Sequence, residues 1–114
     1  MTVIELPTPP SVNNLFINVG RRRTLSPEYR AWREEAGWKL QAQRPAPIHG
    51  RVCIDIALAD KGRIDADNSL KAPIDLLVEH KIIQGDSRKY VRDARVYFDS
   101  SVTDGCRIEI WEAA

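Results

Sequence analysis

From Val52 to Leu58 the chain alternates without a break: Val52, Ile54, Ile56 and Leu58 fall on one side, Cys53, Asp55 and Ala57 on the other. A period of two commits the segment to a half-buried β-strand, because successive strand side chains point to opposite faces. Such a strand needs neighbours in a sheet and a layer over its apolar side. Ser26-Pro27-Glu28 announces a helix for that layer, with a capping hydroxyl, proline at the first helical position and an early acid. Tyr29, Trp32, Ala36 and Leu40 then recur at helical spacing, to about Gln43 and before Pro45 and Pro47. A second helix is expected from Asn68 to about His80, with Leu70, Ile74, Leu77 and Val78 inward and Pro73 in or near its first turn.

Thr2 to Leu6 reads as a short strand closed by Pro7, Pro9 and Pro10, and Ser11 to Thr24 as a long loop. Tyr90 to Phe98 reads as a strand. After a turn at Asp99 to Gly105, Cys106, Ile108 and Ile110 alternate through the last strand, which is expected to form a hairpin with the one before it. At 114 residues the chain fits a single domain, residues 1–114. The fold class is therefore α+β: a mixed sheet of about four strands with two helices on one face, in the order β-α-β-α-β-β.

Hydrophobic residues at 43% and charged residues at 29% are those of a soluble globular protein. No apolar run approaches the roughly 18 residues of a membrane span, and the N-terminus lacks the pattern of a signal segment. A cytoplasmic location is expected. Cys53 and Cys106, each among alternating aliphatics, read as buried strand thiols, and His49 and His80 lack a partner at metal-ligand spacing. The net charge of +1 excludes a uniformly basic protein, yet Arg21, Arg22, Arg23, Arg30 and Arg33 gather near one acid, Glu28. A second basic group comprises Lys81, Arg88, Lys89, Arg92 and Arg95. Basic patches beside an acidic site suit phosphate recognition, a solvated basic face being the plainer alternative.

That acidic site is Asp65-Ala66-Asp67-Asn68, followed by Lys71 and by Asp86. In an extended segment Asp65 and Asp67 present two carboxylates to one point, where a divalent cation lets both ionise. The pattern reads as a magnesium site. Lys71, four residues after Asp67, falls on the same helix face, where its ammonium can neutralise a phosphate or pair instead with Asp75. Asp67 is also placed as the helix N-cap. Asp86 reaches Asp65 and Asp67 of its own chain only along a nearly straight path, so a symmetric dimer in which Asp86 completes the partner's site is a second route.

Taken in order, these residues resemble the RusA-type Holliday-junction resolvases, or crossover junction endodeoxyribonucleases. The likeness runs from Leu6-Pro7 and Pro9-Pro10-Ser11-Val12-Asn13-Asn14 through the arginine-rich segment to Thr24-Leu25-Ser26 and Tyr29-Arg30. It continues in Asp65-Ala66-Asp67-Asn68, Lys71, Ile74-Asp75, Leu77 and Gly85-Asp86. The resemblance implies a metal site at Asp65, Asp67 and Asp86, catalysis by these with Lys71, Mg2+ as cofactor with Mn2+ as a substitute, and a homodimer that cuts four-way DNA junctions symmetrically. Family members are frequent in bacteria and their phages or prophages.

DNA contacts are expected from Asn13, Asn14, Arg21, Arg22, Arg23, Arg30 and Arg63, although asparagines in a proline-rich loop also stabilise turns. The chain departs from the family in having Asp60-Lys61-Gly62-Arg63 rather than a basic run before the acidic pair, and only Phe16 as the aromatic after its asparagines. A DxD-type glycosyltransferase needs a far larger domain. An EF-hand loop needs a Gly and a closing Glu that this motif lacks. A branched-DNA-binding protein whose acids are merely structural is the remaining alternative.

Overall fold

The structure, a computed structural model, describes residues 1–114. Six strands and two α-helices are present: β1 (Thr2–Leu6), β2 (Phe16–Val19), β3 (Arg22–Leu25), α1 (Pro27–Gln43), β4 (Val52–Leu58), α2 (Lys71–Glu79), β5 (Val91–Phe98) and β6 (Cys106–Glu112). The main sheet has the order β1-β6-β4-β5, with β4 and β5 parallel and the other pairs antiparallel. This is the expected α+β class with a mixed four-stranded sheet. Both helices contribute to one hydrophobic cluster with Ile4, Ile54, Ile56, Ile108 and Ile110, so they cover the same sheet face.

The first helix follows its sequence signals. Ser26 accepts a hydrogen bond from the Tyr29 N–H at 3.0 Å, and the helix ends at Gln43, where Arg44 takes a left-handed cap with φ 49°. Tyr29, Trp32, Ala36 and Leu40 are buried as the spacing predicts. The Trp32 indole N–H also donates to the Pro7 carbonyl at 3.1 Å, tying α1 to the end of β1.

Three expectations are corrected. The stretch from Ser11 to Thr24 is not a loop throughout: β2 and β3 form a separate hairpin, with Val19 opposite Arg22 across a Gly20-Arg21 turn in which Gly20 has φ +61°. Glycine accepts that angle without the Cβ clash other residues meet, and a two-residue turn then sets the register. Nor do β5 and β6 form a hairpin, because β4 lies between them. Strand β5 exposes Arg92, Asp93 and Arg95 and takes the sheet edge, where charge discourages further pairing. Finally, β4 is buried on both faces rather than half-buried. Cys53 and Ala57 lie under the long side chains of the outer face, whose pairs include Arg95 with Asp55 at 2.9 Å and Arg107 with Glu109 at 3.2 Å.

Burial pushes the Cys106 thiol up to about 12, and burial also raises Cys53. Buried and held as the neutral thiol at pH 8, Cys106 is a poor nucleophile. Iodoacetamide at that pH should leave both free thiols unlabelled in the native protein and alkylate both in denaturant, as read by intact mass; rapid native labelling would contradict their burial.

Candidate active site

The acidic motif lies in the connection from β4 to β5. Asp65 is extended, with φ −97° and ψ 131°, and Ala66–Asn68 form a single 3-10 turn. Backbone hydrogen bonds from Asn68 N–H to the Asp65 carbonyl (3.2 Å) and from Ser69 N–H to the Ala66 carbonyl (3.1 Å) fix the turn. The buried Ser69 hydroxyl donates to the Asp65 carbonyl at 2.8 Å. The backbone is thereby held from below while the Asp65 and Asp67 side chains stay exposed.

This geometry differs from the expected one. The alternation that aligned Asp65 with Asp67 holds for an extended chain, but Asp67 sits inside the 3-10 turn. Asp67 caps no α-helix either, because α2 begins only at Lys71, after Leu70. Asp67 and Lys71 are accordingly not partners on one helix face. Pro73 falls in the first turn of α2, where its missing N–H removes no helical bond.

Lys71 reaches Asp75 instead, at 3.1 Å along the first turns of α2. Asp75 shares a cavity of about 430 Å3 with Phe16, Tyr29, Arg33, Glu79 and Asp86. There Arg33 pairs with Glu79 at 2.8 Å. Burial, followed by the Asp75 charge, pushes the Tyr29 phenol up, and the hydrogen bond to Glu79 raises the Arg33 guanidinium.

Asp86 lines the cavity it shares with Asp75 and Glu79, whereas Asp65 lines a different one. Beyond α2, Lys81 turns the chain with φ 59°, and the Ile82 and Ile83 N–H groups both donate to the Leu77 carbonyl, burying these isoleucines locally. No group of three or more His, Cys, Asp or Glu side chains is arranged to hold a metal ion. The carboxylates of Asp65, Asp67 and Asp86 nonetheless share one property: none forms an ion pair. Asp60 forms none either, whereas Asp55, Asp75, Asp93, Asp99 and Asp104 all do.

Asp65 opens onto the largest cavity, a polar cleft of about 850 Å3. Asn13, Asn14 and Glu28 reach it from the chain around α1, and Arg63 and Asn68 from the acidic connection. The Ser11 side chain, not an asparagine, stabilises the turn at 12–14 by accepting from the Asn13 N–H at 3.2 Å. Of the predicted DNA contacts, Arg21 and Arg22 are exposed near the hairpin tip, Arg23 lies over the Phe16 ring at 4.5 Å, and Arg30 donates to the Leu25 carbonyl at 3.2 Å. Sequence reasoning missed Asn68 and Glu28 as cleft residues. It also missed Arg51, which joins Arg88 and Lys89 in one shallow basic depression; proximity in sequence cannot reveal such a grouping.

Comparison with known families settles the affiliation. The family described as Endodeoxyribonuclease RusA matches residues 7–111, nearly the whole length. The chain belongs to the RusA endodeoxyribonuclease family. A search of curated proteins gave no significant match. For a RusA-family chain the substrate is DNA and the reaction is internal strand cleavage. No helix is long and apolar enough to cross a membrane.

Proposed function

We propose that this RusA-family chain resolves four-way DNA junctions, as a homodimer that makes paired, symmetric, Mg2+-dependent cuts. The observation that carries the reading is the pair of exposed, unpaired carboxylates, Asp65 and Asp67, held on a stapled turn beside the polar cleft. Their oxygens are the hard donors that magnesium prefers, and that ion takes only one or two protein carboxylates with waters for the rest. Mn2+ accepts the same donors. Asp86 is the third expected ligand; because one chain gathers no group of three such ligands, the partner protomer is a route to completing the site.

Hydrolysis forms a bond from a water oxygen to phosphorus and breaks one bridging P–O bond, whose oxygen then takes a proton. When bound, the cation supplies a more acidic water and bears charge on the phosphate oxygens. Asp65 and Asp67 position the phosphate by holding that charge beside the cleft. Lys71 brings an ammonium whose direction is fixed by Asp75 and which stabilises negative charge building on the phosphate. Exposed Arg21 and Arg22 hold the backbone of a neighbouring arm. Two such centres related by a two-fold axis match the approximate two-fold symmetry of a junction.

The test is cleavage of a synthetic mobile four-way junction and a matching linear duplex, with and without Mg2+. Paired symmetric nicks on the junction alone, dependent on Mg2+, are expected. Tight junction binding with no cleavage under any divalent metal would leave the chain as a binding protein with a structural acidic cluster. Substituting Arg21, Arg22 and Arg23 by Ala should also reduce the slope of log binding constant against log salt, by about 0.9 for each phosphate that is no longer neutralised. Because Arg23 is engaged with Phe16, a change of about two is expected; an unchanged slope would return these arginines to the solvated surface.

A further inference from the structure

Three cations meet where β4 and β5 begin. The two strands are parallel, so their first residues lie side by side: Arg51 directly precedes β4, and the turn at 87–90 leads into β5. The Val52 N–H donates to the Tyr90 carbonyl at 2.8 Å, and the Tyr90 and Val91 N–H groups both donate to the Ser87 carbonyl at 2.9 Å. That backbone gathers the Arg51, Arg88 and Lys89 side chains around one depression of about 280 Å3, which no acid lines.

These cations differ from their neighbours on β5. Arg92 pairs with Asp93 at 3.2 Å and Arg95 with Asp55 at 2.9 Å, whereas Arg51, Arg88 and Lys89 are exposed and form no ion pair. Like charges held together repel, and an anion between them removes the repulsion. The forked donors of a guanidinium match the oxygens of a phosphate, and Lys89, held over the Tyr90 ring at 5.3 Å, adds a point charge.

The depression lies at the far end of the fold from the acidic turn. Beyond α2, the Ile82 carbonyl accepts from the Ile48 N–H and the Gln84 side chain from the Gly50 N–H, so the C-terminal end of α2 lies beside the segment that leads to Arg51. The acidic turn precedes the other end of that helix, at Lys71. Nine helical residues span about 13 Å and the seven of β4 about 20 Å. A DNA strand carries one phosphate per about 3.4 Å of duplex axis, so this separation corresponds to about four to six base pairs.

We infer that Arg51, Arg88 and Lys89 clamp a backbone phosphate of the DNA arm that leaves the acidic turn, about four to six base pairs from the phosphate held there. The inference rests on the junction-cleaving function proposed above and deepens it. Two grips along one arm fix its direction as well as its position, and a phosphate contact does so whatever the sequence. The clamp therefore selects for the length of paired arm rather than for its bases.

The experiment replaces single phosphates along one arm of a four-way junction by uncharged methylphosphonate and measures binding without divalent cations. Wild type should lose about tenfold in affinity when a phosphate about four to six base pairs from the branch is neutralised. The double variant Arg51→Gln/Arg88→Gln, checked for an unchanged melting temperature, should bind the unmodified junction about tenfold more weakly and show no further loss at that position. Arg44→Gln, which removes an exposed cation outside the depression, should keep the wild-type pattern. Lys89→Gln, on the turn rather than beside β4, should weaken the same position if the double variant fails to fold. No sensitive phosphate at that distance, or one that persists in the folded variants, overturns the inference. Should wild type cut no junction in Mg2+, the proposed function fails, while the binding scan still decides the clamp; binding to neither junction nor duplex overturns both.

Discussion

Replacing Asp67 with Asn should lower junction cleavage at least about a thousandfold while leaving junction binding within a few-fold of wild type. The side chain is exposed and makes no ion pair, so the substitution disturbs no packing and orphans no cation. What it removes is a charged oxygen donor. Loss of metal-assisted charge stabilisation amounts to several kcal/mol, and each factor of ten in rate is about 1.4 kcal/mol. A structural aspartate would give a different result: a lower melting temperature with cleavage nearly intact. Parallel measurements of single-turnover cleavage, junction affinity and thermal unfolding separate the two, and full activity in the variant would remove Asp67 from the site.

Mixing two inactive proteins should restore cleavage. In a homodimer whose sites each combine Asp65 and Asp67 of one protomer with Asp86 of the other, a heterodimer of Asp67→Asn and Asp86→Asn carries both lesions in one site. The other site is wild type. Random reassortment of equal amounts makes about half the dimers mixed, each with one working centre, so about a quarter of wild-type strand cutting returns. The products should be single nicks on the junction rather than paired cuts. If each chain builds its own site, every mixed dimer has two dead centres and nothing returns. The lack of any group of three acidic or other metal-ligating side chains within one chain favours the first outcome.

The parts of the fold legible in the sequence were those set by neighbouring residues. Ser26 and Pro27 start α1, and the alternation of Val52 to Leu58 specifies β4, because capping and pleating act over one to four residues. The position of a strand in the sheet is decided elsewhere. Nothing adjacent to Cys106 announces that β6 inserts between β1 and β4, although the charges of β5 mark it as an edge. The hairpin of β2 and β3 was obscured by three arginines, its real signal being Gly20 after the short run Phe16 to Val19. In the candidate site, the residue types were legible and their arrangement was not. The 3-10 turn at Ala66–Asn68 depends on a buried serine hydroxyl, and the cleft depends on bringing residues 13, 14 and 28 to residues 63 to 68.

The place of β6 also orders the protein's assembly in time. Strand β1 pairs only with β6, and β6 follows every other strand in the chain. During synthesis the first strand must therefore wait for residues 106–112 before it finds a neighbour, a closure of high sequence separation that contributes to slow folding. A nascent chain that already carries Asp65, Asp67, Lys71 and Asp86 still lacks the sheet against which α1 and α2 pack. Its capacity to cut DNA thus begins only when the last strand closes the sheet.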